Sequence, residues 1–196
     1  MTSTLTAPRP TLRLAVAREG VAADAIAIVA GALLVAGAAQ ISIPLPFSPV
    51  PITGQTFAVV LVGSALGTVR GVASLTLYLL LGLAGLPFYA DQGHGWTTFS
   101  GATGGYIVGF ILAAGLTGFL AERGYDRRMG TAVTAMLTGN VVVYLVGLPW
   151  LAHVTGAGLD KTLEWGLYPF VPGDILKLYL AAAALPVAWK LLGTRR

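Results

Sequence analysis

Polar positions in this chain are confined to a few short stretches, and between them lie six strongly apolar segments: Ala25–Ile43, Gln55–Val69, Val72–Pro87, Tyr106–Ala121, Thr131–Leu151 and Phe170–Leu192. A helix needs about 20 mostly apolar residues to cross hydrocarbon, and these segments are read as such spans. The second and third first read as one. From Ile52 to Leu86 only Arg70 is charged, and a single helix of that length would measure about 52 Å at 1.5 Å per residue. The hydrocarbon core is about 30 Å thick, so the chain must turn. Gly67-Thr68-Val69-Arg70-Gly71 supplies two glycines to bend and a cation to stay among headgroups.

The connections differ in character. Residues 43–54 hold four prolines yet stay apolar. Proline removes backbone donors and stops helices, so this stretch is expected to be extended and tucked against the helices, because unpaired backbone at membrane depth must be buried in protein or line a cavity. Residues 88–105 are rich in glycine, aromatics and hydroxyls, and 152–169 carries His153, Trp165 and Tyr168. No internal repeat or second domain is evident. The expected organisation is one membrane domain over 1–196, with 1–24 a cytoplasmic segment and 25–192 a six-helix bundle.

Composition supports a lipid-facing surface. Of 196 residues 56% are hydrophobic and 10% charged, whereas soluble domains average about 25% charged. The placement of the cations then fixes an expected topology. Arg9, Arg13, Arg18, Arg70, Arg123, Arg127, Arg128, Lys190, Arg195 and Arg196 flank the segments on one side, only Lys161 lies on the other, and Lys177 is inside the sixth segment. The positive-inside rule puts that richer side, and both termini, in the cytoplasm, which an even number of spans requires. Cations at segment ends are a topology signal rather than a nucleic-acid surface, so no nucleic-acid partner is expected. Arginines, an apolar run and Ala36-Gly37-Ala38 imitate a secretory signal; the run is long for one and five further spans follow, so it is read as a span.

Candidate chemistry is sparse. Asp174 and Lys177 lie in Pro172-Gly173-Asp174-Ile175-Leu176-Lys177, and ionisable groups in a span mark function by default. At i and i+3 they share a helix face and can enter one cavity, where the ammonium suits a carboxylate and the aspartate accepts from N–H donors. A structural ion pair with Lys177 snorkelling outward is the alternative. Asn140, the only asparagine, suits a polar ligand or an interhelical hydrogen bond, and Gln55 is equally open. Phe88, Tyr89, Trp96, Phe99, Trp150, Trp165 and Tyr168 either wall a pocket or anchor segment ends. Gly63, Gly67 and Gly71, and likewise Ala32 and Ala36, fall at spacing four, which lets helices approach closely. The glycines are expected to pack within the chain, and the alanines can dock another subunit. There is no cysteine, P-loop, H-E-x-x-H or G-x-S-x-G, and the two histidines sit far apart. Catalysis, metal binding and a cofactor are not expected.

The run Ile43-Pro44-Leu45-Pro46-Phe47-Ser48-Pro49-Val50-Pro51-Ile52-Thr53, followed by Gln55-Thr56-Phe57, resembles the first-loop signature of the BioY family. These are biotin-binding S components of energy-coupling factor (ECF) transporters. Tyr78-Leu79 with Gly82 and Gly85-Leu86-Pro87, Thr103-Gly104-Gly105-Tyr106 with Gly109-Phe110, and Gly173-Asp174-Ile175-Leu176-Lys177 follow the pattern in order. Ala102 departs from it where a proline is expected. The resemblance implies an all-α, six-helix S-component fold in the bacterial cell (inner) membrane, with both termini cytoplasmic and a biotin pocket roofed by the outer loops. It implies ligand contacts from Asp174 and Lys177, with Asn140, Gln55, Tyr89, Trp96, Thr103, Gly104 and Tyr106 as helpers. It also implies a transmembrane coupling subunit meeting the Ala32/Ala36 face, and separate ATP-binding-cassette ATPases. An S component for another vitamin, or a membrane scaffold with a purely structural Asp174/Lys177 pair, are the competing readings.

Overall fold

A computed structural model of the chain describes residues 10–12 and 20–191. Arg9, Arg13, Arg18, Leu192, Arg195 and Arg196, which entered the topology argument, lie outside the described residues. The elements in chain order are α1 (Val21–Ala39), β1 (Ser42–Ile43), β2 (Ile52–Thr53), α2 (Gln55–Leu66), α3 (Thr68–Leu83), a 3-10 turn (Ala90–Gln92), α4 (Gly95–Phe99), α5 (Gly104–Ala121), α6 (Met129–Thr155), α7 (Leu159–Gly166) and α8 (Val171–Leu191).

Among the described residues four helices, α1, α5, α6 and α8, are long and apolar enough to cross a membrane. The other two main helices are shorter than these. α2 has 12 residues, three fewer than the sequence suggested, whereas α3 keeps the expected 16 but begins and ends four residues early; they measure about 18 Å and 24 Å at the helical rise. Two features set their junction. The predicted five-residue turn is compressed onto Gly67, whose φ of 83° is open to glycine at little cost. The helix restarts at Thr68, so Arg70 lies inside α3 and forms an ion pair with Asp24 of α1, at 2.6 Å and 3.0 Å. Glu122 caps the new helix: its carboxylate accepts from the Thr68 N–H at 2.8 Å and from the Thr68 hydroxyl at 3.0 Å, satisfying donors that a helix start leaves open.

At the other end the first predicted segment stops early. Gln40 and Ile41 leave the helix, and the proline-rich stretch forms a short antiparallel hairpin in which Ser42 faces Thr53 and Ile43 faces Ile52. Ser48 holds its tip, donating to the Trp165 carbonyl at 2.7 Å. The stretches at 88–105 and 152–169 are also more ordered than loops, carrying the 3-10 turn with α4, and α7, respectively.

α5 occupies the centre, packed against α2, α3 and α6; α1 lies on α2 and α3, and α8 lies on α2 and α6. Small residues make the centre possible. Gly118 of α5 abuts the Gly67–Thr68 backbone, and Gly63 of α2 meets Ala114 and Thr117 of α5 and faces Gly71 of α3. That is close helix approach of the kind small residues permit in apolar bundles. Ala32 and Ala36 are used in the same way. They are 0% and 6% exposed, inside the core cluster with Leu75 and Tyr78. The close approach they permit here is intramolecular, the use expected of the glycines. Ala27 and Ala30 of α1, which are partly buried and exposed respectively, border an apolar groove with Leu61, Ala65, Ala184 and Ala188.

Candidate functional site

All the connections on one end of the bundle converge over a cavity. Its walls come from the start of α2 (Gln55, Thr56), the first turns of α5 (Tyr106, Ile107, Phe110), the middle of α6 (Val143, Tyr144) and the start of α8 (Asp174, Lys177). Tyr78 of α3, Val50, Pro51 and Thr53 of the hairpin stretch, Tyr89 and Ala90 of the turn after α3, Thr103 and Phe170 complete it. About 570 Å³ is free of atoms, counted out to the mouth.

Its polar floor is organised around Asp174. The carboxylate accepts from the Thr56 hydroxyl at 2.9 Å, from the Lys177 ammonium at 3.2 Å and from the Tyr144 hydroxyl. Lys177 also approaches Thr56 Oγ1 at 3.4 Å. The two charged side chains are only 7% and 19% exposed. Burying a pair this deeply costs desolvation that its own attraction need not repay, and a 3.2 Å single contact is not the geometry that would maximise that attraction. An ammonium has three donors and no acceptor. With one N–H spent on Asp174 and a longer approach to Thr56, Lys177 keeps donor capacity next to the cavity.

Above the floor the polar groups are committed. Gln55 accepts from the Thr53 hydroxyl at 3.0 Å and donates to the Tyr78 hydroxyl at 2.6 Å. Tyr89 lies edge-on to Tyr78, with ring centroids 5.7 Å apart, and donates to the Leu79 carbonyl at 2.7 Å. Burial pushes the Tyr89 phenol up to about 12, so it stays a donor at neutral pH. Tyr106 donates to the Gly166 carbonyl at 3.0 Å, which anchors α7 over the site.

Of the residues expected at a site, Asp174, Lys177, Gln55, Tyr89, Thr103 and Tyr106 line this cavity. Three do not. Asn140 is buried one turn along α6 from Tyr144, off the cavity lining, and its Oδ1 has no hydrogen-bond partner among the described residues. Trp96 is 68% exposed and stacks on Phe99 instead. Gly104 starts α5 where a side chain would strike the Phe99 carbonyl, so its role is packing. Sequence reasoning missed Thr56, Tyr78 and Tyr144 as site residues. Nothing in the local pattern singles out Tyr144, whose hydroxyl meets Asp174 only once α6 and α8 pack together. Among the described residues no cluster of metal-ligating side chains occurs.

The Biotin transporter BioY of Rhizobium etli is 37% identical over 163 residues, covering 78% of this chain and 87% of the relative. That of Thermotoga maritima is 38% identical over 151 residues, covering 77% and 86%. A probable biotin transporter BioY of Pyrococcus horikoshii is 38% identical over 155 residues, covering 79% and 87%. The crystal structure at 2.1 Å of the S-component for biotin from an ECF-type ABC transporter superposes with a TM-score of 0.77 at 27% identity, covering 85% of this chain and 90% of that one. With the BioY family model matching residues 7–194, the chain belongs to the BioY family.

Proposed function

We propose that this chain is the substrate-binding subunit of an ECF-type transporter for biotin, capturing the vitamin at the outer face of a bacterial cell membrane. Import would then be powered by a separate transmembrane coupling subunit and ATP-binding-cassette ATPases. The observation that carries the reading is the Asp174–Lys177–Thr56–Tyr144 cluster at the base of a cavity with otherwise apolar and aromatic walls. Biotin has the matching parts: a carboxylate, a ureido ring with N–H and C=O groups, and an apolar body. A buried pair with spare donors is offset by a polar guest, and the membrane-family relatives supply the transport context.

Six crossings with cytoplasmic termini complete the proposal. α2 is too short to cross alone, and the hairpin, part of which lines the cavity, would make up the remaining thickness, as irregular backbone at membrane depth must. Because the chain has no cysteine, single introduced cysteines at the helix ends report sidedness cleanly.

Isothermal titration of the detergent-purified chain with biotin tests the function. Saturable one-site binding that thiamine and riboflavin fail to compete supports it. Competition by either would reassign the vitamin, and no binding to any of the three would leave a scaffold role.

A further inference from the structure

We propose that Gln40 is a positioning residue for the roof of the cavity, its side-chain amide holding a strained turn that presents Tyr89 and Ala90 to the ligand space. The inference rests on the ligand-binding reading above and extends it to a residue that does not line the cavity.

Gln40 caps the end of α1, where the hairpin begins. Its Nε2 lies 3.1 Å from the Ala36 carbonyl, 3.3 Å from the Pro87 carbonyl and 3.2 Å from the Tyr89 carbonyl. Its Oε1 accepts the Gln92 N–H at 3.2 Å. One amide thus engages both sides of the turn. An NH₂ group has two hydrogens, so one of the three acceptors is shared, and the whole polar capacity of the side chain is directed at α1 and this turn.

The turn needs holding. Asp91 and Gln92 have φ of 54° and 59°, and among the described residues they are the only non-glycine residues with positive φ. Two consecutive residues in that region are disfavoured, and such strain persists only where the surroundings over-determine it. The local backbone contributes Tyr89 N–H to the Gly93 carbonyl and Gly93 N–H to the Ala90 carbonyl, both at 3.0 Å. Gln40 adds the long-range restraint. Tyr89 is fixed at both ends: its ring by Tyr78, the Leu79 carbonyl and the flat surface at Gly82, and its backbone by Gln40. The same corner carries the hairpin, because the Gly54 N–H donates to the Ala38 and Ile41 carbonyls on either side of Gln40. Both roof pieces that reach the cavity therefore hang from one corner of α1.

The test uses the full chain in detergent. Gln40→Ala should weaken biotin binding about tenfold, mainly through faster dissociation, as expected when hydrogen bonds that order a contact surface are lost. Gln40→Glu, which keeps the acceptor for Gln92 but sets a carboxylate oxygen against the Ala36, Pro87 and Tyr89 carbonyls, should weaken binding at least as much as Gln40→Ala. Glycine adopts positive φ readily, so Gln40→Ala/Gln92→Gly should regain most of the lost affinity, while Gln92→Gly alone should stay near the native value. A residue that only capped α1 would not be rescued from position 92. Amide hydrogen exchange at 88–93 without ligand should accelerate in Gln40→Ala and slow again in the double variant. Native affinity in Gln40→Ala, absence of rescue, or unchanged exchange would each overturn the clamp. A native chain that fails to bind biotin would overturn the functional reading instead, leaving the exchange rates to decide the clamp.

Discussion

Two ion pairs sit at opposite ends of this bundle, and the better-formed one is the less informative. Asp24 and Arg70 join the first turns of α1 and α3 through two contacts, 2.6 Å and 3.0 Å long, with side chains 33% and 25% exposed. Asp174 and Lys177 share one helix, meet through a single 3.2 Å contact, and are only 7% and 19% exposed. Fork-like geometry between distant segments is what a structural bridge needs. A looser pair, buried more deeply and backed by two hydroxyls beside a cavity, has been desolvated without the attraction that would offset it. Pair quality and burial pull in opposite directions here, and the mismatch marks the site.

The comparison breaks most sharply at Lys177. Lys177→Ala should reduce biotin affinity about a hundredfold, because it removes the spare ammonium donors beside the cavity, and a hydrogen bond from a charged group contributes about 1.5–3 kcal/mol. Titration calorimetry reads this directly. Binding within a few-fold of the native chain would mean that the pair serves packing alone. A smaller change sharpens the assignment of roles. Tyr144→Phe removes one donor from Asp174 and keeps the ring that meets Tyr106 edge-on. A hydrogen bond to a charged group contributes about 1.5–3 kcal/mol, of which the flexible cluster recovers part, so affinity should fall about tenfold. An unchanged affinity would make Tyr144 a spectator.

These two residues also mark what the sequence could and could not convey. Asp174 and Lys177 were legible because charge inside an apolar segment is conspicuous, and their spacing alone put them on one face. Tyr144 was not, since a tyrosine in an apolar run is unremarkable until α6 and α8 are packed together and its hydroxyl meets a carboxylate 30 positions away. Asn140 was conspicuous for the opposite reason: rare polarity drew attention, but it lies one helical turn from Tyr144, past the end of the cavity lining. Helix existence followed from apolar runs, whereas helix ends did not. α1 ended at Ala39 rather than Ile43 because the proline-rich stretch recruits Ser42 and Ile43 into a hairpin, and α3 began at Thr68 because Glu122, 54 positions away, caps it. Such long-range partners cannot be read from local pattern. Ala32 and Ala36 illustrate the same limit, since small-residue spacing predicts a close contact without saying with whom.

The smallest effect is expected at the other pair. Arg70→Ala removes both contacts to Asp24, yet the carboxylate left behind stands in the first turn of α1, where a helix N-terminus favours negative charge and where a third of the side chain is already exposed. Partly exposed pairs contribute up to about 1 kcal/mol, which corresponds to a loss of about 2–4 °C in thermal midpoint for a chain of this size. Biotin affinity should stay within about twofold, because the perturbation would have to travel along α3 from Arg70 to Tyr78, eight residues or about 12 Å of helix, before meeting the cavity. Thermal melting and titration of the same preparation separate the two quantities. If Arg70→Ala costs as much affinity as Lys177→Ala, the two ends of the bundle are coupled and burial no longer distinguishes a binding pair from a bridging one.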